Sequence, residues 1–364
     1  MKFFLISNMY PKEDSPGYGS FVKNVCDKLN EFGMIVKYKS LIRGKPNSKA
    51  DKINKYLKFY YSIFVNFFGK YDFIYMHFPN QAIPLLSILF SLKKPKTVVN
   101  FHGEDLIYSD YGYEKFLGKM TEKFCRKYAS AIVVPSEYFK SIVEKKQLLL
   151  FDKIIVSPSG GINPIYFYPS IDKLFGDAIK GIYLGYVGRL EKEKGIIEYI
   201  ETCKQLKIKG IKFKGSIIGY GTLYEYVRNF IKDNNLESNV QIINGMPQSQ
   251  LGNYYRRFDL LIFSSSARTG ESLGLTGIEA MACGTPIIGS DVGGISSYLK
   301  DSINGFSVPK NNVSKIIDAI KKYMSLSIEE KETMRANCIN TGKRYYNDLV
   351  CMNLSEDIRK VLSY

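Results

Sequence analysis

The chain has 364 residues, enough for two ordinary domains, and 45% hydrophobic content with no apolar run near the ~20 residues of a bilayer span. Two histidines exclude a histidine-rich metal centre, and six scattered cysteines without a Cys-x-x-Cys pair suggest neither a zinc site nor a disulfide framework. The formal net charge of +16 points toward an anionic partner.

Apolar runs alternate with helical patterns from the start, which predicts an α/β protein with doubly wound parallel sheets. Strands are predicted at Lys2–Ser7, Met34–Tyr38, Asp72–Met76, Thr97–Phe101, Ala131–Val134 and Lys153–Val156. A second set follows at Ile182–Gly188, Phe213–Gly219, Val240–Ile243, Phe258–Phe263, Pro286–Gly289 and Gly305–Val308. Met1–Ser7 lacks the length and cleavage site of a signal peptide, so a reducing cytoplasm is the simplest compartment. The stretch between the sets has prolines, aromatics and no periodicity. The expected layout is a first domain over 1–165, a linker over 166–181 and a second domain over 182–347. The end of the chain, Ser327–Tyr364, is helical in pattern.

Three stretches of the first half carry candidate function. Gly17 and Gly19 follow strand one, where bare backbone can approach a phosphate or an acceptor; a plain turn is the alternative reading. Asp51–Phe68 reads as a helix mixing Lys52, Lys55 and Lys58 with Tyr56, Leu57, Tyr60, Ile63, Phe64, Phe67 and Phe68. It suits an interfacial helix on anionic lipid and, equally, a core helix with a solvated lysine face. Within 41–100 there are 10 Lys and Arg against 2 Asp and Glu. That imbalance favours an anionic membrane surface, a lipid pyrophosphate or nucleic acid, unless a basic surface is simply general to the chain. Phe101-His102-Gly103-Glu104-Asp105 follows a strand and sits where ligands collect at strand carboxyl ends. Glu104 and Asp105 are placed to orient an acceptor. His77, also after a strand, is read as structural.

The most informative run is Thr269-Gly-Glu-Ser-Leu-Gly-Leu-Thr-Gly-Ile-Glu-Ala-Met-Ala-Cys-Gly-Thr-Pro286. It reads as strand, small-residue loop, short helix Leu275–Cys283 and strand again. Amides around Leu273, Gly274 and Leu275 at the helix start favour an anion by up to about 1 kcal/mol each. Glu271 and Glu279 flank that cradle, and carboxylates accept hydrogen bonds from hydroxyl-bearing rings. Phosphate between hydroxyls describes a nucleotide sugar.

This segment resembles the Glu-x7-Glu motif of retaining GT-B glycosyltransferases, family 4 (glycosyl transferases group 1). Gly188-Arg-Leu-Glu-Lys-Glu-Lys-Gly195 matches the family's Gly-Arg-Leu-x-x-x-Lys-Gly pattern as well. The resemblance implies a GT-B fold, two Rossmann-like domains facing each other across a cleft, with the last helix (about 348–364) completing the first domain. It implies that Gly188, Arg189 and Lys194 with the amides of Leu273–Leu275 hold the donor diphosphate. Glu279 is then expected at the ribose, Glu271 at the sugar hydroxyls, and His102 at the sugar or reaction centre; capping of its own loop is the plainer role for that histidine. Gly17 and Gly19 complete the donor-site candidates. Ser157-Pro-Ser-Gly-Gly-Ile-Asn163 resembles a family turn, but Ser159 and Asn163 replace its asparagine and aspartate, so it carries only the fold.

The implied activity is hexosyltransferase-type transfer with retention, the leaving phosphate itself taking the acceptor's proton. No Asp-x-Asp triplet is present, so no essential metal or other cofactor is expected. The donor is a nucleoside-diphosphate sugar, UDP favoured over GDP. The acceptor is expected to be a lipid-linked glycan in cell-surface polysaccharide or glycolipid assembly, with the protein peripheral on the cytoplasmic face of the membrane. The alternatives are a soluble small-molecule or protein acceptor and, in another class, a non-catalytic nucleotide- or nucleic-acid-binding protein. No nucleic-acid module, dinucleotide fingerprint or Walker loop supports the last. The oligomeric state is left open by the sequence.

Overall fold

The computed structural model describes residues 1–15, 17–103, 105–109, 111–170, 181–265 and 271–363. The chain divides into two compact units, Met1–Gly161 with Asn347–Tyr364, and Ile162–Tyr346.

The first unit is built on β1 (Lys2–Tyr10), β2 (Ile35–Arg43), β3 (Phe73–His77), β4 (Thr97–Asn100), β5 (Ala131–Val134) and β6 (Ile154–Val156). They form one parallel sheet in the order β2-β1-β3-β4-β5-β6. Its helices are α1 (Ser20–Glu31), α2 (Lys49–Phe67), α3 (Ile83–Leu89), α4 (Gly112–Tyr128) and α5 (Glu137–Lys145). A parallel sheet is covered on both faces, so its inner strands β3, β4 and β5 are wholly buried, whereas the edge strand β2 carries Lys37, Lys39 and Arg43. In β1 the two-residue period divides the apolar run. Phe3 and Leu5 join a core with Val22, Val25 and Leu29 of α1, whereas Phe4 and Ile6 join one with Phe59, Ile63 and Phe67 of α2.

The second unit contains β7 (Ile182–Val187), β8 (Phe213–Ile218), β9 (Val240–Ile243), β10 (Leu260–Phe263), β11 (Ile287–Ser290) and β12 (Gly305–Val308). Its sheet is parallel, in the order β12-β11-β10-β7-β8-β9. The helices are α6 (Ile196–Ile208), α7 (Tyr224–Asp233), α8 (Gln248–Tyr255), α9 (Leu275–Ala282), α10 (Val313–Ser325) and α11 (Ile328–Lys343). Helix α11 starts at a capping box in which Ser327 and Glu330 satisfy each other's backbone N–H. The last helix, α12 (Asn347–Ser363), returns to the first unit, where Leu354, Ile358 and Leu362 join the core of α1 and β1.

All twelve predicted strands are present, and two parallel Rossmann-like sheets are the GT-B architecture. The domain boundary differs from the expected one. The first unit ends at Gly161 rather than 165, and the stretch after it is not a free linker. Ile162 N–H donates to the Tyr345 carbonyl at 2.8 Å, and Phe167 is fully buried with its ring 5.9 Å from that of Tyr255. One anchored aromatic in aperiodic chain leaves no repeating signal for sequence reasoning to find. The remainder of the predicted linker, 171–180, lies outside the described residues.

Helix α2 is a core helix on one face, and its other face is exposed. Phe59, Ile63 and Phe67 are buried, while Ile53, Leu57, Tyr61, Phe64 and Phe68 stand outward at 51–72% exposure beside exposed Lys52 and Lys58. Thus the helix packs one apolar face and leaves a second one bare.

Candidate active site

In each sheet the chain order reverses at one place, between β1 and β3 in the first unit and between β7 and β10 in the second. Loops leaving the carboxyl ends of such a strand pair diverge and open a crevice there. The predicted residues gather at these two points.

In the second unit the loop after β7 carries Gly188, Arg189 and Lys194, and the loop after β10 ends in Glu271. Gly195 brings the two together. It has φ +80°, and a side-chain carbon there would come within 2.4 Å of the Ser264 carbonyl. That contact sets Lys194 so that its ammonium donates to Glu271 Oε1 at 2.7 Å. Ser265 Oγ donates to the same oxygen at 2.7 Å. Glu271 is only 9% exposed, so its charge is compensated inside the protein rather than by water. Lys194, expected with Arg189 at the diphosphate, is thus also bonded to the first glutamate. Arg189 is exposed, and among the described residues its guanidinium has no carboxylate partner. The loop beyond it is tied to the loop after β8, where Glu191 accepts from the Thr222 N–H at 3.1 Å and from its hydroxyl at 2.5 Å.

Gly274 caps α9 in a left-handed conformation, φ 81°, and its carbonyl accepts from Tyr298 OH at 3.0 Å. Leu273 is buried in the core beneath, and Leu275 opens the helix. The Glu271 carbonyl accepts from the Gly294 N–H at 2.7 Å, pinning the loop from the other side. Residues 266–270, which include Thr269 and Gly270 of the motif, lie outside the described residues.

Glu279, in the second turn of α9, is 5% exposed. Tyr255 OH donates to its Oε2 at 2.9 Å and Gln248 Nε2 to its Oε1 at 3.1 Å. Burial outweighs those two bonds and pushes the carboxyl up to about 7. Both donors lie on α8 and had no signal in the motif; Ser265 was likewise missed. These side chains hold the glutamates, and each carboxylate oxygen still has lone pairs for a ligand hydroxyl.

In the first unit His102 follows β4 and His77 ends β3. His102 Nε2 and His77 Nδ1 are 2.9 Å apart. The Phe21 ring of α1 lies 4.9 Å from that of His102, and the Phe78 ring 4.4 Å away. His77, read as structural, is thus bonded to the candidate histidine. The loop itself is held by Asp105, whose Oδ1 accepts from the N–H groups of His102 at 2.9 Å and Gly103 at 2.8 Å. This is a local capping duty. Glu104 lies outside the described residues, as does Pro16 of the first loop. The two glycines of that loop differ. A side chain on Gly19 would strike the Met9 carbonyl at 2.6 Å, so the chain itself requires this glycine. Around Gly17 the space is open.

Residues 175–345 match the family described as Glycosyl transferases group 1. An uncharacterized glycosyltransferase of Methanocaldococcus jannaschii is 26% identical, over 99% of this chain and 97% of that protein. The capsular polysaccharide biosynthesis glycosyltransferase CapM of Staphylococcus aureus is 27% identical over 64% of this chain and 61% of its own. Anabaena HepE, solved with UDP, superposes with a TM-score of 0.75 over all of both chains at 16% identity, and so shares the fold. It has also been solved with UDP-glucose. Through residues 175–345 the chain is thus similar to the group 1 glycosyltransferases.

Proposed function

We propose that the protein transfers a sugar, with retention, from a nucleoside-diphosphate sugar to an acceptor hydroxyl. The observation that carries this is the Lys194–Glu271–Ser265 cluster at the β7/β10 switch point, beside the start of α9. Arg189, Lys194 and the amides of Leu273–Leu275 supply positive potential for a diphosphate, and Glu279 accepts from ribose hydroxyls. Glu271, its charge balanced by Lys194, accepts from the sugar hydroxyls and helps place the anomeric carbon. As the bond from that carbon to the phosphate oxygen breaks, charge builds on the diphosphate, where charge-assisted bonds are about twice as strong as neutral ones. The acceptor oxygen bonds to the same face of the carbon and its proton passes to the departing phosphate. No metal is assigned a part. UDP is the favoured nucleotide, supported by the UDP and UDP-glucose complexes of HepE. His102 is assigned to a sugar hydroxyl.

The acceptor is proposed to be lipid-linked, with the protein peripheral on the cytoplasmic face. The bare apolar face of α2 and the polysaccharide role in the name of CapM support this. Among the described residues no helix is long and apolar enough to cross a membrane, so contact would be through surfaces of this kind. The test screens UDP-, GDP- and ADP-sugars in EDTA against phosphatidylglycerol vesicles carrying a polyprenyl-pyrophosphate sugar. Release of one nucleotide only when the lipid acceptor is present is expected, and Leu57→Glu/Phe64→Glu should abolish flotation with the vesicles while leaving stability within about 0.5 kcal/mol. Equal release with inositol phosphate or glucose in place of the lipid would move the protein to the soluble-acceptor class.

A further inference from the structure

The two histidines of this chain sit against each other, although 25 residues separate them in sequence. Their rings are within 17° of parallel with centroids 5.1 Å apart, so the 2.9 Å contact runs nearly along the line between ring centres. It is an in-plane hydrogen bond, and it holds one proton between two neutral rings. Burial lowers the pKa of both, and the neighbouring ring lowers that of His77 further.

One proton permits two arrangements. If His102 donated from Nε2, His77 would have to carry its own proton on Nε2, where it is 1% exposed and that atom has no partner among the described residues. If His77 donates from Nδ1, its Nε2 is a bare lone pair instead. A buried N–H without an acceptor is the rarer orphan in proteins, so the second arrangement is favoured. It also fixes the outer ring. With Nε2 accepting, His102 must be protonated at Nδ1, the nitrogen for which no partner is found among the described residues.

We infer that His77 is a positioning residue: it donates Nδ1–H to His102 Nε2 and holds His102 as the Nδ1–H tautomer, presenting a fixed donor to a sugar oxygen. This rests on the reading of His102 as a sugar contact. It adds that His102 acts as a neutral donor and not as a base, because its only lone pair is already taken.

With only two histidines in the chain, a long-range proton–nitrogen correlation spectrum of the labelled protein shows two ring systems and needs little assignment. Both rings should be protonated at Nδ1 and bare at Nε2, the tautomer less favoured by free histidine. His77→Asn, whose amide can stand where Nδ1 stood, should leave His102 in that state and, with the lipid-linked acceptor present, UDP release from UDP-glucose near the wild-type rate. His77→Phe should return His102 to the Nε2–H form and slow release about ten-fold, the worth of one hydrogen bond. A protonated Nε2 on either wild-type ring, or an unchanged His102 tautomer in folded His77→Phe, overturns the inference. Absence of UDP-glucose turnover in the wild type would count against the functional reading alone, since the tautomers are read without substrate.

Discussion

Replacing Glu279 with glutamine is expected to stabilise the unliganded protein at pH 8 and, in the same molecule, to weaken nucleotide binding. The carboxyl is buried and titrates at about 7, above its ordinary 4.5. A group raised in this way contributes stability that is complete below the unfolded pKa and is lost as pH rises through the folded one. Between pH 4.5 and pH 8 the wild type therefore gives up about 3 kcal/mol at this site. Glutamine stays neutral throughout. Its amide oxygen can accept from Gln248 and its amide nitrogen can donate to the Tyr255 oxygen, so both contacts survive. Thermal unfolding should show the variant several degrees more stable than wild type at pH 8 and no more stable at pH 4.5. Its affinity for UDP should fall about ten- to hundred-fold, the worth of a charged acceptor at the ribose. A variant with the same stability difference at both pH values would show that Glu279 is not held charged at a cost.

Lys194→Met is expected to lower kcat/KM for sugar transfer about 10²–10³-fold, the usual effect of removing one donor from a developing anion. The fall should lie mostly in kcat, because charge on the diphosphate grows toward the transition state. Stability should fall as well, by roughly 2 kcal/mol, because Glu271 loses its charged partner and, among the described residues, keeps only the Ser265 hydroxyl as a donor at Oε1. The cost stays below that of breaking a fully buried pair, since the Lys194 side chain keeps 24% exposure. Adding Glu271→Gln removes the stranded charge, so the double variant should regain stability and remain inactive. Denaturant midpoints and initial rates of the two single variants and the double variant separate these effects. If Lys194→Met turned over at the wild-type rate, the ion pair would be a structural tie between two loops.

The sheets were legible because parallel strands buried on both faces must be apolar without interruption. Ala131–Val134 matches its predicted bounds residue for residue, and so do the edge strands Val240–Ile243 and Gly305–Val308, in which Gln241 and Ser307 interrupt the apolar run. Helix α2 was legible as a helix but not in its orientation. Its two faces, one through Phe59, Ile63 and Phe67 and the other through Leu57, Tyr61 and Phe64, are equally apolar, and only packing tells them apart. The site divides in the same way. Lys194 and Glu271 could be named from their motifs, but the bond between them spans 77 residues and depends on Gly195 meeting Ser264. Tyr255 and Gln248 reach Glu279 from another helix, and His77 meets His102 from the next strand. Side chains that position other side chains leave no local spacing to read, whereas those that meet a ligand cluster in loops after strands.

The central claim, that a nucleotide sugar is held by the second unit, is tested most directly by thermal unfolding with UDP, GDP and ADP in EDTA, using wild type and Arg189→Ala/Lys194→Met. The account predicts that UDP at a hundred times its dissociation constant adds about 2.7 kcal/mol to the wild type without metal, and much less to the variant. No shift with any nucleotide, or an equal shift in both proteins, would contradict it.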